Sequence, residues 1–202
     1  MTRFPITNVE GDLVAQYRDP DEKLYASLEL NQVAFPKTGM VVSQTPLGDG
    51  FTKANPCENG MWVVADKAAG AIKAPAAVTD TPIGIVYTTE KEYDDYHMGL
   101  QRFGRKIKGD YPRVGIFGLG DTVTTNCLQY DESTYATFAA LETALKAAEA
   151  GTTPMYVVPV AGSPVPALTT SKPGSGLYAK VVKYYTIPNG GKGVKYQIVS
   201  LG

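Results

Sequence analysis

Short apolar runs separated by turn residues recur along most of the chain, and this pattern predicts strands. The runs are rich in Val, Ile, Tyr and Thr, the residue types that pack well on a pleated sheet. The predicted strands are 61–66, 71–75, 83–89, 113–117, 121–128, 154–160, 177–187 and 194–200. We predict a proline-rich loop through Pro164 and Pro166 and a hairpin turn at 188–193, where Asn-Gly and Gly-Gly occur.

One segment, 133–150, has a helical pattern instead. It is rich in Ala, Leu, Glu and Lys, and Phe138, Leu141 and Leu145 fall on one face of a helix. Asp131 or Ser133 is the expected N-cap. The segment is therefore predicted to be a single α-helix inserted among strands.

The first 55 residues differ from the rest because their apolar patches are short and separated by turn-rich sequence. Residues 22–31 are compatible with a short helix or a strand, with the strand favoured near the end. Residues 43–59 are mostly polar and predict a long loop. The expected organisation is an N-terminal arm and loop over 1–55 and a β domain over 56–202, and the expected fold class is mainly β: a small barrel or sandwich with one helical insertion and an extended arm.

Composition narrows the function classes without naming one. Hydrophobic residues make up 44% of the 202 residues and charged residues only 19%, and the net charge is -1. The hydrophobic share is enough for a real core, and the balanced charge argues against coating of nucleic acid. No apolar run approaches about 18 residues, the length that spans a membrane, and 1–5 lack the apolar stretch of a secretory signal. Neither a membrane nor nucleic acid is expected as a partner.

Candidate catalytic and ligand-binding residues are sparse. His97, the only histidine, follows four carboxylates within 90–95, which favours a solvated loop over a metal or general-base site. Gly118 and Gly120 lack the lysine and third glycine of phosphate loops, so they predict a turn. Cys57 and Cys127 form no Cys-x-x-Cys pair, and two reduced, partly buried thiols are expected. The sequence therefore predicts no catalytic residue, metal or cofactor.

Residues that contact partner proteins are easier to propose than catalytic residues. The basic run at Arg102, Arg105 and Lys106 is compatible with contact to nucleic acid, to an acidic protein surface or to the preceding acidic run of a neighbouring copy, and with simple solvation. Thirteen tyrosines supply broad contact area or cross-strand packing. The residues predicted to contact partners, in the arm, the basic run and the last hairpin, are Phe4, Leu24, Leu28, Leu30, Val33, Arg102, Arg105, Lys106, Tyr184, Tyr185 and Tyr196.

Several of these segments together resemble the head decoration and minor capsid proteins of tailed bacteriophages. The resemblance is carried by ENGMWVVAD (58–66), GAIKAP (70–75) and TPIGIV (81–86), and by YPRVGIF (111–117) and GDTV (120–123); the stretch 58–123 that contains them is about a third of the chain. It implies a non-enzymatic virion protein built from a β-barrel or sandwich, with an arm that reaches across neighbouring capsid subunits.

The expected function is therefore decoration and stabilisation of the capsid exterior, in a virion that assembles in the host cytoplasm. The expected partners are the major capsid protein and further copies of this chain, and removal of residues 1–40 should release a folded domain from its shell. A tail tube or tail-associated subunit is the alternative. A hydrolase or carbohydrate-binding module, using the carboxylates near His97 and exposed tyrosines, is a third hypothesis.

Overall fold

The computed structural model describes residues 1–4, 39–66, 68–80, 82–88, 107–186 and 191–202. These residues form twelve strands and one helix. In chain order they are β1 Thr2–Arg3, β2 Val41–Val42, β3 Trp62–Asp66, β4 Ala71–Lys73, β5 Ile83–Val86, β6 Val114–Ile116, β7 Thr122–Thr125, β8 Gln129–Tyr130, α1 Phe138–Glu149, β9 Tyr156–Val160, β10 Ser163–Thr169, β11 Leu177–Thr186 and β12 Lys192–Leu201.

The strands form a large sheet and a small sheet. The large sheet has seven strands in the order β1-β8-β10-β9-β11-β12-β7, and the small sheet has five in the order β2-β6-β5-β3-β4. Pairing is antiparallel throughout except between β8 and β10. The described residues confirm the predicted fold class: a mainly β protein with one helix.

The small sheet closes on itself at one end through residues 46–48, which we call the closing segment. Ile72 N donates to Pro46 O at 2.8 Å, and Gly48 N donates to Ile72 O at 2.9 Å, so this segment pairs with β4. On its other side, Leu47 N donates to Asp110 O at 2.9 Å, on the chain that leads into β6. The last strand of the sheet is thereby joined back to the first pair, which gives a small barrel.

Side chains of the small sheet alternate between two hydrophobic clusters. Trp62 and Val64 point toward the large sheet and α1, whereas Val63 and Ala65 pack with Ile72 in the second cluster. Because successive residues of a strand face opposite sides, a strand buried on both faces must be apolar at nearly every position. This explains the unbroken apolar run of β3.

The described parts of the predicted arm are integrated into the domain. β1 pairs with β8, Phe4 is 1% exposed in the core, and Phe51 is buried in the second cluster. The described residues within 1–55 therefore contribute to both sheets and to the core, and a deletion of residues 1–40 would remove Phe4 from the core. The apolar positions at 24–33 lie outside the described residues.

The helix is shorter than predicted but has the predicted inner face. It begins at Phe138 with Thr137 as N-cap, whose side chain accepts from Ala140 N, so the expected caps Asp131 and Ser133 were wrong. Leu141 and Leu145 are fully buried, as their spacing predicted. Gly151, at φ +75°, follows the last turn as the C′ glycine.

The predicted proline-rich loop is in fact strand β10. Its register against β9 shifts between Ser163 and Ala167, so two prolines fall where the ladder is irregular. Proline lacks the N–H that a regular ladder uses, and such irregularities are where strands tolerate it. The other predicted strands appear at their expected places, most of them shorter, whereas β12 extends beyond the predicted 194–200 at both ends. Gly118 and Gly120 lie in the predicted turn between β6 and β7. Of the turn predicted at 188–193, residues 188–190 lie outside the described residues, and 192–193 already belong to β12.

Candidate functional site

Only some of the predicted contact residues can be placed. Leu24, Leu28, Leu30 and Val33, like Arg102, Arg105 and Lys106, lie outside the described residues. Phe4 does not face a partner, because its ring packs edge-on against Phe138 at 5.0 Å between centroids, inside the core.

The tyrosines of the last hairpin also differ from the prediction. Tyr196 is 0% exposed and accepts a hydrogen bond from Trp62 Nε1, and Tyr184 is buried with its hydroxyl donating to Glu142 Oε1 at 3.1 Å. Both side chains hold the domain together through contacts with β3 and α1, which lie outside their own hairpin. Tyr185 is partly exposed, with Lys183 Nζ 5.8 Å from its ring centroid.

The outer face of the β11–β12 hairpin is one of two exposed surfaces among the described residues that could contact a partner. The register of the hairpin shifts between Val181 and Lys183, which leaves both Val182 and Lys183 exposed. Val182 is 46% exposed and Val199 on β12 is 38% exposed. This face mixes lysines with isolated apolar side chains, and both strands are already paired on each side within the large sheet.

The outer side of β2 is different, because it is an unpaired strand edge among the described residues. β2 has only β6 as a neighbour. Ile116 N donates to Met40 O at 2.9 Å, and Val41 lies opposite Gly115. Hydrogen-bonded and non-hydrogen-bonded pairs alternate in antiparallel strands, so the N–H and C=O of Val41 point away from β6. We call this side of β2, with Met40 and Val41, the open edge.

The open edge borders a cleft of about 500 Å³, lined by residues 41–46 and by Gly70 of the β3–β4 turn. The cleft lies beside the part of the small sheet that the closing segment does not reach, since the closing segment pairs with β4 only from Pro46 onward. Met40 and Val41 are 53% and 42% exposed beside it. An extended peptide entering here would find a backbone edge together with two apolar side chains.

As far as the described residues show, the open edge lacks the usual protection of an exposed strand. Natural edges are commonly blocked by lysine, proline or a covering element. Residues 41–45 are Val-Val-Ser-Gln-Thr and carry no charge, and proline appears only at position 46. Residues 39–42 fall within the predicted arm, whose apolar patches are short. The missing charge beside two β-branched residues was the available signal for an edge.

A second cleft, of about 590 Å³, contains the one long-range ion pair with a buried partner that the described residues show. Arg3 Nη2 lies 3.1 Å from Glu58 Oε2, whose side chain is 10% exposed, and 3.9 Å from Cys127 Sγ. The pair ties β1 to the loop before β3. Burying a charge is costly unless it is paired, so the pair is explained by the packing of β1.

The two cysteines are buried inside the domain. Neither Cys57 nor Cys127 forms a disulfide, as expected for reduced thiols. Burial raises the pKa of Cys127 to about 12, although nearby Arg3 opposes the shift. A thiol reacts as its thiolate, so this side chain stays protonated and inert at neutral pH.

The described residues contain neither a cluster of metal-ligating side chains nor a helix that could span a membrane. No group of three or more His, Cys, Asp and Glu side chains converges among the described residues. His97 and residues 90–95 lie outside them. No described helix is long and apolar enough to cross a bilayer.

Comparison of the chain with models of protein families, with curated proteins and with solved structures found no match in any of the three.

Proposed function

We propose that this chain is a non-enzymatic virion structural protein of a tailed phage, which decorates and stabilises the capsid exterior. Two lines of support meet in the small sheet. The segments that resemble decoration proteins include β3, β4, β5 and β6, and the open edge belongs to the same sheet. The partners in this proposal are the major capsid protein and neighbouring copies of the chain.

The observation that carries the proposal is the open edge. A strand supplied by a capsid subunit would pair with the outward N–H and C=O of Val41 and cover the cleft beside it. Strand addition of this kind gains affinity from main-chain hydrogen bonds and specificity from alternate side chains. Full burial of a Val or Met side chain contributes about 1.5–3 kcal/mol, and roughly half of each side chain remains exposed here to be buried.

Stabilisation then follows from position and copy number. A subunit that pairs with one capsid protein and contacts the next must be displaced before that junction opens. Each contact is modest, but linked contacts across many junctions reinforce one another because each occurs at high effective concentration.

The test compares two valine variants of matched exposure. Val41→Lys adds a charge to the open edge, whereas Val182→Lys adds the same charge to the paired β11–β12 face. Each purified protein is mixed with shells of the encoding phage from which the chain has been stripped, and binding is measured by co-sedimentation. We expect wild type and Val182→Lys to bind and Val41→Lys to lose at least tenfold in affinity.

The same variants address a tail subunit, the alternative that the long exposed β11–β12 hairpin favours. A tail component should assemble into rings or tubes without shells, and Val182→Lys should block that assembly. Rings by negative-stain microscopy, together with no binding of wild type to shells, would replace decoration with the tail hypothesis. Equal shell binding by Val41→Lys and wild type would show that the open edge does not contribute to binding of the shell.

A further inference from the structure

A cleft on the other side of the molecule has the features of a ligand site. Its volume is about 510 Å³, and it lies between the turn before α1, the β9–β10 hairpin and the loop that enters β11. Small-molecule sites commonly enclose about 300–1,000 Å³. We call it the Tyr135 cleft.

The lining of the Tyr135 cleft combines an apolar floor with many hydroxyls. Val158, Leu168 and Leu177 contribute apolar surface. The hydroxyl-bearing residues, which lie mostly on the exposed rim, are Thr134, Thr169, Thr170, Ser171 and Ser175. A hydroxyl both donates and accepts, so this rim matches a ligand that presents hydroxyls of its own.

Tyr135 supplies a buried polar group that the fold leaves unused. The residue is 8% exposed, and its hydroxyl oxygen has no hydrogen-bond partner. Buried polar groups are nearly always paired, and one that is not deserves an explanation. Burial raises the pKa of Tyr135, so the hydroxyl remains a protonated donor at neutral pH.

The charged groups that line the Tyr135 cleft indicate which class of ligand it can bind. The charged groups among the described residues that line the cleft are the Asp131 carboxylate and the Met1 α-ammonium. The carboxylate already accepts from Ser133 N at 3.0 Å and Ser133 Oγ at 2.6 Å, and these hydrogen bonds, with the nearby ammonium, hold the pKa of Asp131 below the usual range. The two opposite charges offset one another, so the cleft favours neither an anion nor a cation.

We propose that the Tyr135 cleft binds a neutral, hydroxyl-rich ligand of monosaccharide or disaccharide size. The C–H face of a sugar ring packs on the apolar floor, and its hydroxyls exchange hydrogen bonds with the threonine and serine rim. A small adjustment of the Tyr135 side chain on binding brings its hydroxyl to a ligand oxygen, which satisfies a buried donor that lacks a partner within the described residues. This site is distinct from the open edge and does not depend on the proposed function.

The experiment uses the full chain and neutral probes: glucose, galactose, N-acetylglucosamine and maltose. Binding is measured by saturation-transfer NMR and titration calorimetry, with glucosamine and glucose 6-phosphate as charged comparators. We expect saturable binding of at least one neutral sugar, and weaker binding of its phosphorylated and amino analogues.

Variants locate the site. Tyr135→Phe removes only the hydroxyl and should weaken binding about fivefold, the equivalent of one neutral hydrogen bond. Ser175→Trp fills the rim at an exposed position and should abolish binding. Tyr111→Phe, at a tyrosine that is 59% exposed and outside the cleft, is the matched control and should bind as wild type does.

The proposal is overturned if no neutral sugar binds the wild-type chain, or if a charged analogue binds more tightly than its neutral parent. It is also overturned if both Tyr135→Phe and Ser175→Trp bind like wild type, because the sugar would then occupy another place on the protein.

Discussion

The indole nitrogen of Trp62 lies 2.9 Å from the phenolic oxygen of Tyr196, and this hydrogen bond joins the small barrel to the large sheet. Both residues are fully buried, and their rings pack edge-on at 5.8 Å between centroids. Trp62 is in β3 and Tyr196 is in β12, so the contact connects strands 134 positions apart.

Tyr196→Phe should destabilise the fold more than an ordinary loss of a hydroxyl. The change leaves the Trp62 N–H buried without its acceptor, which costs about 1–3 kcal/mol. The measurement is the free energy of unfolding from denaturant titration, with Tyr111→Phe as the exposed control. A loss below about 0.5 kcal/mol, the range of ordinary surface substitutions, would mean that the bond adds little.

Tyr135→Phe should have the opposite sign. The hydroxyl of Tyr135 is buried without a hydrogen-bond partner, which costs folding free energy. Removal of the hydroxyl removes that cost. We expect the free energy of unfolding to rise by about 1 kcal/mol in the absence of ligand. A clear loss of stability would show that the hydroxyl has a partner in solution, such as a bound water.

Cys127 should make stability fall at alkaline pH. The pKa of its thiol is raised by burial from 9.0 to about 12. The unfolded chain therefore loses this proton first, and the contribution of Cys127 is complete below pH 9.0 and declines toward pH 12. The difference in unfolding free energy between wild type and Cys127→Ala should shrink over that window. A difference that is constant with pH would contradict the assignment.

Gly84→Ala should strain the barrel. A Cβ at this position would lie 2.6 Å from both Gly115 O and Val114 Cγ1, across the β5–β6 pair. Overpacking of this kind costs about 1–3 kcal/mol. Gly174→Ala is the control, because nothing lies within 4 Å of its added Cβ. Thermal unfolding should show a lower midpoint for Gly84→Ala and an unchanged or slightly higher one for Gly174→Ala.

The parts of the fold that follow from local sequence were predictable. The period of apolar residues identified the strands of the domain, and the spacing of Leu141 and Leu145 identified the inner face of α1. The helix start was misplaced because Asp131, Ser133 and Thr137 are all competent caps, and only packing selects among them. The prolines at 164 and 166 suggested a loop. The irregular pairing that accommodates them in a strand involves β9, and the local sequence does not reveal it.

Non-local features were not predictable from one sequence. The pairing of Thr2–Arg3 with β8 depends on residues more than a hundred positions away, so a short N-terminal run looked like a free arm. The Tyr135 cleft likewise draws on residues from 131 to 177, and no motif brings them together. The buried states of Tyr184 and Tyr196 arise from α1 and β3, which their own hairpin does not reveal.

The position of Phe4 has a consequence for how the chain acquires its structure. Phe4 N donates to Leu128 O at 2.8 Å, and its ring rests on Phe138. During synthesis, residues 2–4 cannot form these contacts until their partners at 128–138 have left the ribosome. Contacts between such distant positions slow folding, because a long loop must close at an entropic cost before the contacts can form. We therefore infer that the docking of β1 is a late event, after which Phe4 seals the core beside α1.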